Sequence, residues 1–414
     1  MKIAVVGLGY VGTVSAVALA CRGHRVWGVD ENPDKVRSVN EGRSPIAEPE
    51  LEQRVRLALK TKTLTATCDL ESALRETDVC LLAVGTPSLP TGDVDSEPLL
   101  RVCRSAGAAL AKLKRNQIVA IRSSALPAAF AACREVFERV APHRVELCAN
   151  PEFLREGSAV RDFEEASFTL IGTDNAAAAD ALREVYAGLP GEVVMTTPGE
   201  ALMVKYASNA FHALKVAFAN EIGGLCARAE IDGRRVMDIF CEDAKLNLSA
   251  NYLKPGFAFG GSCLPKDLRA LVHMGKQFGI ELPLTAAILP SNACVMDRAL
   301  CKIRATGARR VALVGLSFKA TTDDLRESPF VELAERLLNE RYDLSIYDPN
   351  IALPKLTGTN KAFIERSIPH LSKLLLRSAE GLQNAALIVL GHRYPEVEPY
   401  LTPQTARVLD LSEP

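Results

Sequence analysis

The sequence predicts an α/β protein in which two doubly wound domains are joined by a helical central domain with one long helix. Three observations predict it. Short β-branched runs alternate with helical patterns from residue 2 to 195, a helical pattern with few breakers runs from Glu200 to Ala229, and strand–turn–helix alternation resumes at Arg310. The 414 residues exceed the size at which a single hydrophobic core stops growing. The pattern divides the chain into 1–198, 199–306 and 307–414.

Strand Lys2–Val6 leads into a glycine-rich turn and an alanine- and valine-rich helix. Arg25–Asp30, Asp78–Val84, Gln117–Arg122, Val145–Ala149, Phe168–Ile171 and Glu192–Met195 read as further strands. Helical patterns between them argue for a parallel sheet covered on both faces. Thr197-Pro198-Gly199 closes this region, and helices follow to about Thr306. The second α/β region has strands at Val311–Val314, Leu344–Tyr347, Ala386–Leu390 and Arg407–Leu411, with a helix around Phe330–Asn339. No repeat or low-complexity segment is visible.

Lys+Arg number 49 against 50 Asp+Glu, a net charge of −1, with 48% hydrophobic and 24% charged residues. That balance offers no broad electrostatic footprint for nucleic acid or a membrane, so neither is expected as a partner. An anionic ligand must be held by a few placed cations. Eleven cysteines, an odd number with no C-x-x-C pair, read as reduced thiols in a cytoplasmic protein. Residues 3–21 carry no charge, but Gly7, Gly9 and Gly12 interrupt them, and a strand with a glycine turn explains them better than a signal or a membrane span. Six scattered histidines give no metal site.

Gly7-Leu8-Gly9-Tyr10-Val11-Gly12 stands between strand and helix. Its glycines suit a tight turn, close approach of a pyrophosphate and close helix–sheet packing, and the helix N-terminus offers free N–H groups to phosphates. Asp30 ends the next strand, 18 residues after Gly12, where it can bind a ribose 2′-hydroxyl and repel a 2′-phosphate. NAD is therefore expected rather than NADP. Val84-Gly85-Thr86-Pro87 and Arg122-Ser123-Ser124 follow further strands and face the same crevice, although turn chemistry alone also explains them.

Gly260-Gly261-Ser262-Cys263-Leu264-Pro265-Lys266-Asp267 is the most informative segment. Two glycines admit close backbone approach, and Lys266 favours a thiolate at Cys263. Such a thiolate adds to an aldehyde, and the thiohemiacetal can be oxidised to a thioester that water releases as a carboxylate. On the long helix Lys205, Asn209, His212 and Asn220 share one face. That stripe reads equally as a solvated face or as the lining of a ligand cavity. Asn150-Pro151-Glu152-Phe153-Leu154-Arg155-Glu156 holds two carboxylates, each readable as a general base or as a cap and ion-pair partner.

Together with Lys205–Glu221, Gly256–Asp267 and Gly315–Ser328, these motifs make nearly the whole chain resemble the UDP-glucose/GDP-mannose dehydrogenase family. The resemblance implies two Rossmann-like domains and an NAD-dependent four-electron oxidation of a nucleotide sugar at C6, in the service of acidic polysaccharide synthesis. It implies Cys263 as nucleophile, Lys205, Asn209 and Asp267 at the oxyanion or water, and Glu156 in the acid–base shell. Near NAD it implies Gly7, Gly9, Tyr10, Val11, Gly12, Asp30, Lys35, Thr86, Ser124, Lys266 and Arg326. Around the sugar nucleotide it implies Phe153, Leu154, Glu156, Lys205, Asn209, His212, Asn220, Tyr252, Lys254, Phe257, Gly260 and Lys319. A homodimer with shared active sites follows from the same resemblance, with Tyr252 and Lys254 reaching the partner's substrate.

Within the family, Asn209-Ala210-Phe211-His212, Lys245-Leu246-Asn247-Leu248-Ser249 and Phe257-Ala258-Phe259 lean toward GDP-mannose, with a UDP-sugar such as UDP-glucose as the alternative. Asn251, Lys254, Ser124 and the short end after Leu411 depart from the mannose pattern. Two-electron hydroxyacid dehydrogenases share a Rossmann domain with a helical one, but Cys263 and the second nucleotide-type domain from Arg310 speak against that class.

Overall fold

Lys2–Val6, strand β1, is apolar on both sides and buries both: Ile3 and Val5 enter one core, Ala4 and Val6 another. A strand covered on both faces belongs inside a parallel sheet flanked by helices. The strands joining it are β2 (Arg25–Val29), β3 (Leu64–Thr67), β4 (Val79–Leu82), β5 (Gln117–Ile121), β6 (Val145–Ala149), β7 (Phe168–Gly172) and β8 (Glu192–Thr196). They order as β3-β2-β1-β4-β5-β6-β7-β8. The first connecting helices are α1 (Tyr10–Cys21), α2 (Pro33–Asn40), α3 (Leu51–Lys60) and α4 (Leu70–Glu76). The rest are α5 (Glu97–Leu113), α6 (Pro127–Val140), α7 (Ala159–Glu164) and α8 (Ala176–Val185).

Two features depart from the sequence reading. Strand β3 is four residues with only Leu64 and Ala66 buried, too short a pattern to stand out. Strand β7 meets β6 antiparallel, through Ala149 and Gly172. A parallel return needs a full crossover, and residues 150–167 supply only the six-residue α7.

The structure, a computed structural model, describes residues 1–228, 230–244, 256–277, 279, 282–351, 358–402 and 407–412. Two compact units divide the chain, Met1–Ala207 and Ser208–Pro414, with the division inside α9 (Pro198–Arg228). The first turns of α9 belong to the first unit, because Ala201 and Leu202 are buried in one of its cores. The second unit continues with α10 (Gly233–Glu242), α11 (Leu264–Gln277) and α12 (Pro283–Ala305). Its α/β part runs β9 (Arg310–Val314), α13 (Pro329–Asn339), β10 (Asp343–Tyr347), α14 (Gly358–Ser367), α15 (Leu371–Leu374), β11 (Leu387–Leu390) and β12 (Arg407–Asp410). This parallel sheet orders as β10-β9-β11-β12.

One turn recurs without any visible sequence repeat. After β1, Gly7 (φ +97°) donates to Val29 O at 2.7 Å, and Leu8 N–H donates to Asp30 Oδ2 at 2.7 Å. After β9, Gly315 (φ +92°) donates to Tyr347 O at 2.8 Å, and Leu316 N–H donates to Asp348 Oδ2 at 2.8 Å. The surroundings differ. A Cβ on Gly7 would lie 2.7 Å from the Ala83 carbonyl and one on its counterpart Gly315 would lie 2.5 Å from the His392 ring, whereas one on Gly9 would meet nothing within 4 Å. Asp348 also accepts from Ser317 N–H, Ser317 Oγ and Tyr394 OH at 3.1, 3.1 and 3.2 Å. The second turn is filled by its own side chains; the first meets only backbone at Gly7 and is open at Gly9.

Candidate active site

The open turn fits a dinucleotide. A Cβ on Gly12 would sit 1.7 Å from Gly7 O, so only glycine lets α1 approach the turn. No acidic residue occupies the first turn of α1 and no side chain caps it, which leaves the first N–H groups, from Tyr10, Val11 and Gly12, to a phosphate. Asp30 is buried, with Oδ1 accepting from Asn32 N–H at 2.9 Å and Oδ2 facing Lys35 Nζ at 3.0 Å. A carboxylate has about four acceptor positions, so capacity for a ribose hydroxyl remains.

At the carboxyl ends of β4 and β5, Thr86 Oγ1 donates to Ser124 O at 2.9 Å and Ser123 Oγ donates to Val84 O at 2.7 Å. Two expected cofactor residues, Thr86 and Ser124, thus meet. Behind them Arg122 is buried, its Nη1 donating to Asn150 Oδ1 at 2.8 Å and to Tyr186 OH at 2.6 Å. Its guanidinium lies 6.0 and 5.8 Å from the rings of Phe163 and Tyr186. Burial pushes the Tyr186 phenol up, with the Arg122 charge opposing.

The loop after β6 starts at that clamp. The sequence left its two carboxylates open, and the structure distinguishes them. Glu152 is buried and takes the Lys205 ammonium at 3.0 Å, while its Oε2 accepts from Leu154 N–H at 2.5 Å. Lys205, itself 4% exposed, lies 5.7 Å from the centre of the Phe153 ring. Glu156 is half-buried further along the loop, as are Phe153 and Leu154.

The far end of the loop is held by a residue that sequence reasoning missed. Glu48 accepts from Gly157 N–H at 2.8 Å and from Ala159 N–H at 2.7 Å, and Tyr10 OH accepts from Gly157 N–H at 2.8 Å. Burial raises the Glu48 carboxyl, and these amides pull it back. Pro45 and Pro49 mark a loop there, but nothing in the sequence announces a partner more than a hundred residues away.

In the second unit Cys263 is exposed, on a turn where Gly261 has φ +90°. Its carbonyl accepts from Asp267 N–H at 2.9 Å, so α11 begins at the cysteine. Asp267 is fully buried; Oδ2 accepts from Asn209 Nδ2, and Oδ1 lies 3.4 Å from Lys266 Nζ. Cys263, Lys266, Asp267 and Asn209 therefore form one cluster.

The remaining expected residues are distributed around this unit. The Asn220 carboxamide spans Gly256 N–H and Phe257 O, at 2.6 and 3.3 Å, and so shapes the backbone entering the glycine turn. Phe257 packs on Phe330 with ring centres 5.0 Å apart. A cavity of about 600 Å³ lies there, lined by Arg234, Asp238, Phe257, Phe318, Phe330 and His392 among others. Lys319 Nζ stands 5.4 Å from the Phe318 ring centre, Arg326 is forked on Asp324, and His212 is half-buried on α9. Tyr252 and Lys254 lie outside the described residues. Among the described residues no cluster of His, Cys, Asp or Glu could hold a metal ion, and no helix is long and apolar enough to cross a membrane.

An open glycine turn with a buried aspartate at the next strand defines a dinucleotide-binding α/β protein, to which the second unit adds an exposed cysteine on an acid–amide cluster. Comparison with known proteins makes the class specific. Residues 1–190, 199–293 and 312–405 match the NAD binding, central and UDP binding domains of the UDP-glucose/GDP-mannose dehydrogenase family. The chain belongs to that family. It is accordingly a nucleotide-sugar dehydrogenase, and its cofactor is NAD.

It is 42% identical over 419 residues to a GDP-mannose 6-dehydrogenase of Pseudomonas syringae, covering 99% of this chain and 96% of that one. A UDP-glucose dehydrogenase from Pyrobaculum islandicum superposes with a TM-score of 0.89 at 33% identity, covering 99% and 94% of the two chains. A ternary complex of GDP-mannose dehydrogenase from Pseudomonas aeruginosa gives 0.58 at 41% identity, covering 99% and 96%.

Proposed function

We propose that the protein oxidises the C6 hydroxymethyl group of GDP-mannose to a carboxylate, giving GDP-mannuronate. One observation carries the chemistry: an exposed thiol on a glycine turn at the start of a helix whose buried Asp267 is bonded to Asn209. NAD, when bound, would supply the hydride acceptor, one molecule for each of the two oxidations. Cys263 Sγ adds to the aldehyde carbon, and the alkoxide that forms is stabilised by the Asn209 amide. After the second oxidation Cys263 holds the acyl group as a thioester. Water then attacks the thioester carbonyl, its proton passing to Asp267, and the thiolate leaves. Asp267 keeps the Asn209 amide turned to donate.

Relatives named GDP-mannose 6-dehydrogenase, at 42% identity over nearly the whole length, support the sugar assignment. UDP-glucose is the second reading, favoured by the 0.89 TM-score to the Pyrobaculum enzyme. In this reading residues 1–198 take the cofactor, 199–306 form the helical and dimerising part, and 307–414 take the sugar nucleotide. The working form is a homodimer in the cytoplasm, consistent with eleven cysteines outside any disulfide. The test is NADH production with GDP-mannose, UDP-glucose and related nucleotide sugars side by side. Two NADH per GDP-mannose and an acid product are expected; one NADH per sugar would overturn the four-electron scheme, and faster turnover of a UDP-sugar would overturn the substrate.

A further inference from the structure

Glu327 is a non-glycine residue with left-handed backbone, φ +49°, a conformation that persists where the surroundings impose it. It precedes Ser328, which caps α13 through Phe330 N–H at 3.2 Å and donates to Leu316 O at 2.7 Å. Glu327 is thus tied to the end of β9. From there it reaches the cysteine segment twice. Its carbonyl accepts from Gly261 N–H at 3.1 Å, two residues before Cys263. Its carboxylate takes both terminal nitrogens of Arg269, at 2.7 and 3.0 Å, six residues after Cys263 on α11. A Cβ on Gly260 would stand 2.3 Å from Glu327 O, so that glycine exists to admit the contact.

One residue therefore closes an arc, 261–269, that contains the exposed thiol, the first turn of α11 and Asp267. Rotation of that turn would move Cys263 and Asp267 together. The Arg269–Glu327 pair is about one-third exposed, at 33% and 35%. Ion pairs that exposed add little to stability, so the value of this one lies in the geometry it fixes.

We propose that Glu327 and Arg269 are positioning residues that set the direction of the Cys263 thiol. This rests on the reading of Cys263 as nucleophile. The variants are Glu327→Gln, which keeps the backbone contact and the side-chain shape, Arg269→Met, and the conservative Arg269→Lys. Each is measured for kcat and KM with the nucleotide sugar, NAD affinity by calorimetry, Tm, and the rate at which iodoacetamide alkylates Cys263, followed by mass spectrometry with exposed Cys294 as internal control.

Glu327→Gln and Arg269→Met should lose about 30-fold in kcat, the scale of a misplaced reacting group, with KM, NAD affinity and Tm near wild type. Alkylation of Cys263, but not of Cys294, should change several-fold, and Arg269→Lys should recover part of both. Alkylation and kcat within twofold of wild type would overturn the proposal, and so would losses that track a fall in Tm or in NAD affinity. The alkylation measurement needs no turnover, so it tests the positioning even if the substrate assignment fails.

Discussion

The Lys205 ammonium lies 3.0 Å from the Glu152 carboxylate with both side chains almost wholly buried, at 6% and 7% exposure. Taking away one member of such a pair strands the other charge. Lys205→Met should therefore destabilise the first unit by about 3 kcal/mol, a fall in Tm of roughly 6–12 °C for a unit of this size. The double variant Lys205→Met, Glu152→Gln should recover most of that stability while remaining without acid formation. Calorimetric melting and NADH assays check both halves; a double variant that turns over normally would remove the pair from the chemistry.

Cys263→Ser should bind NAD and nucleotide sugar nearly as the wild type does and release no carboxylate. An alcohol is a far weaker nucleophile than a thiolate at neutral pH, and the second oxidation needs the acyl group held by sulfur. Product analysis by mass spectrometry decides it. Wild-type rates of acid release from the serine variant would sink the assignment.

How much of this was legible beforehand depends on the reach of each signal. The turn at Gly7–Gly12 with Asp30, and the glycine pair before Cys263, are local patterns whose mechanics follow from spacing alone; in the structure Gly9 faces open space and Cys263 is exposed. Glu48, Arg122 and the choice of Glu152 for Lys205 were not legible, because their partners lie 28 to 111 residues away and burial decides the pairing. The recurrence of the turn at Gly315 and Asp348 also escaped, since its second copy replaces Gly9 and Gly12 with Ser317 and Ala320.

Asp30→Ala should weaken NAD binding and narrow its advantage over NADP. The ribose partner disappears, and Lys35 Nζ, now 3.0 Å from the Asp30 carboxylate, is released to meet a 2′-phosphate. Calorimetric titration with both dinucleotides tests this. An unchanged NAD affinity and NAD/NADP ratio would place Asp30 outside the cofactor site.

His392 fills the second turn, donating from Nε2 to Ser317 O at 2.7 Å with its ring 4.8 Å from Phe330. Burial lowers its pKa, only partly offset by the Ser317 carbonyl and the nearby Asp348 charge. The folded protein therefore resists protonation that the unfolded chain accepts. The stability this contributes is present above the unfolded value of about 6.5 and is lost as pH falls through the lower folded value. Melting followed between pH 7.5 and 5 should show a downward slope that flattens in His392→Asn. Equal slopes in the two proteins would show that the ring takes up its proton equally in the folded and the unfolded chain.

In the second unit Phe211 and Phe218, seven residues apart along α9, are 41% and 39% exposed, and Ile239 on α10 is 56% exposed. Large apolar side chains left open on neighbouring helices mark an association surface, and a patch that pairs with its own copy gives a two-fold dimer. Phe211→Ser with Phe218→Ser should then shift the protein to monomer in sedimentation. If each subunit also lends Lys254 to its partner's substrate, Cys263→Ser and Lys254→Ala chains, each inactive alone, should complement when refolded together. Random pairing makes half the dimers mixed, and one of the two sites in each mixed dimer is whole, so about a quarter of wild-type activity is expected. A dimer without complementation would keep Lys254 in its own subunit's site. A wild-type chain that sediments as an active monomer would end the proposal of shared sites altogether.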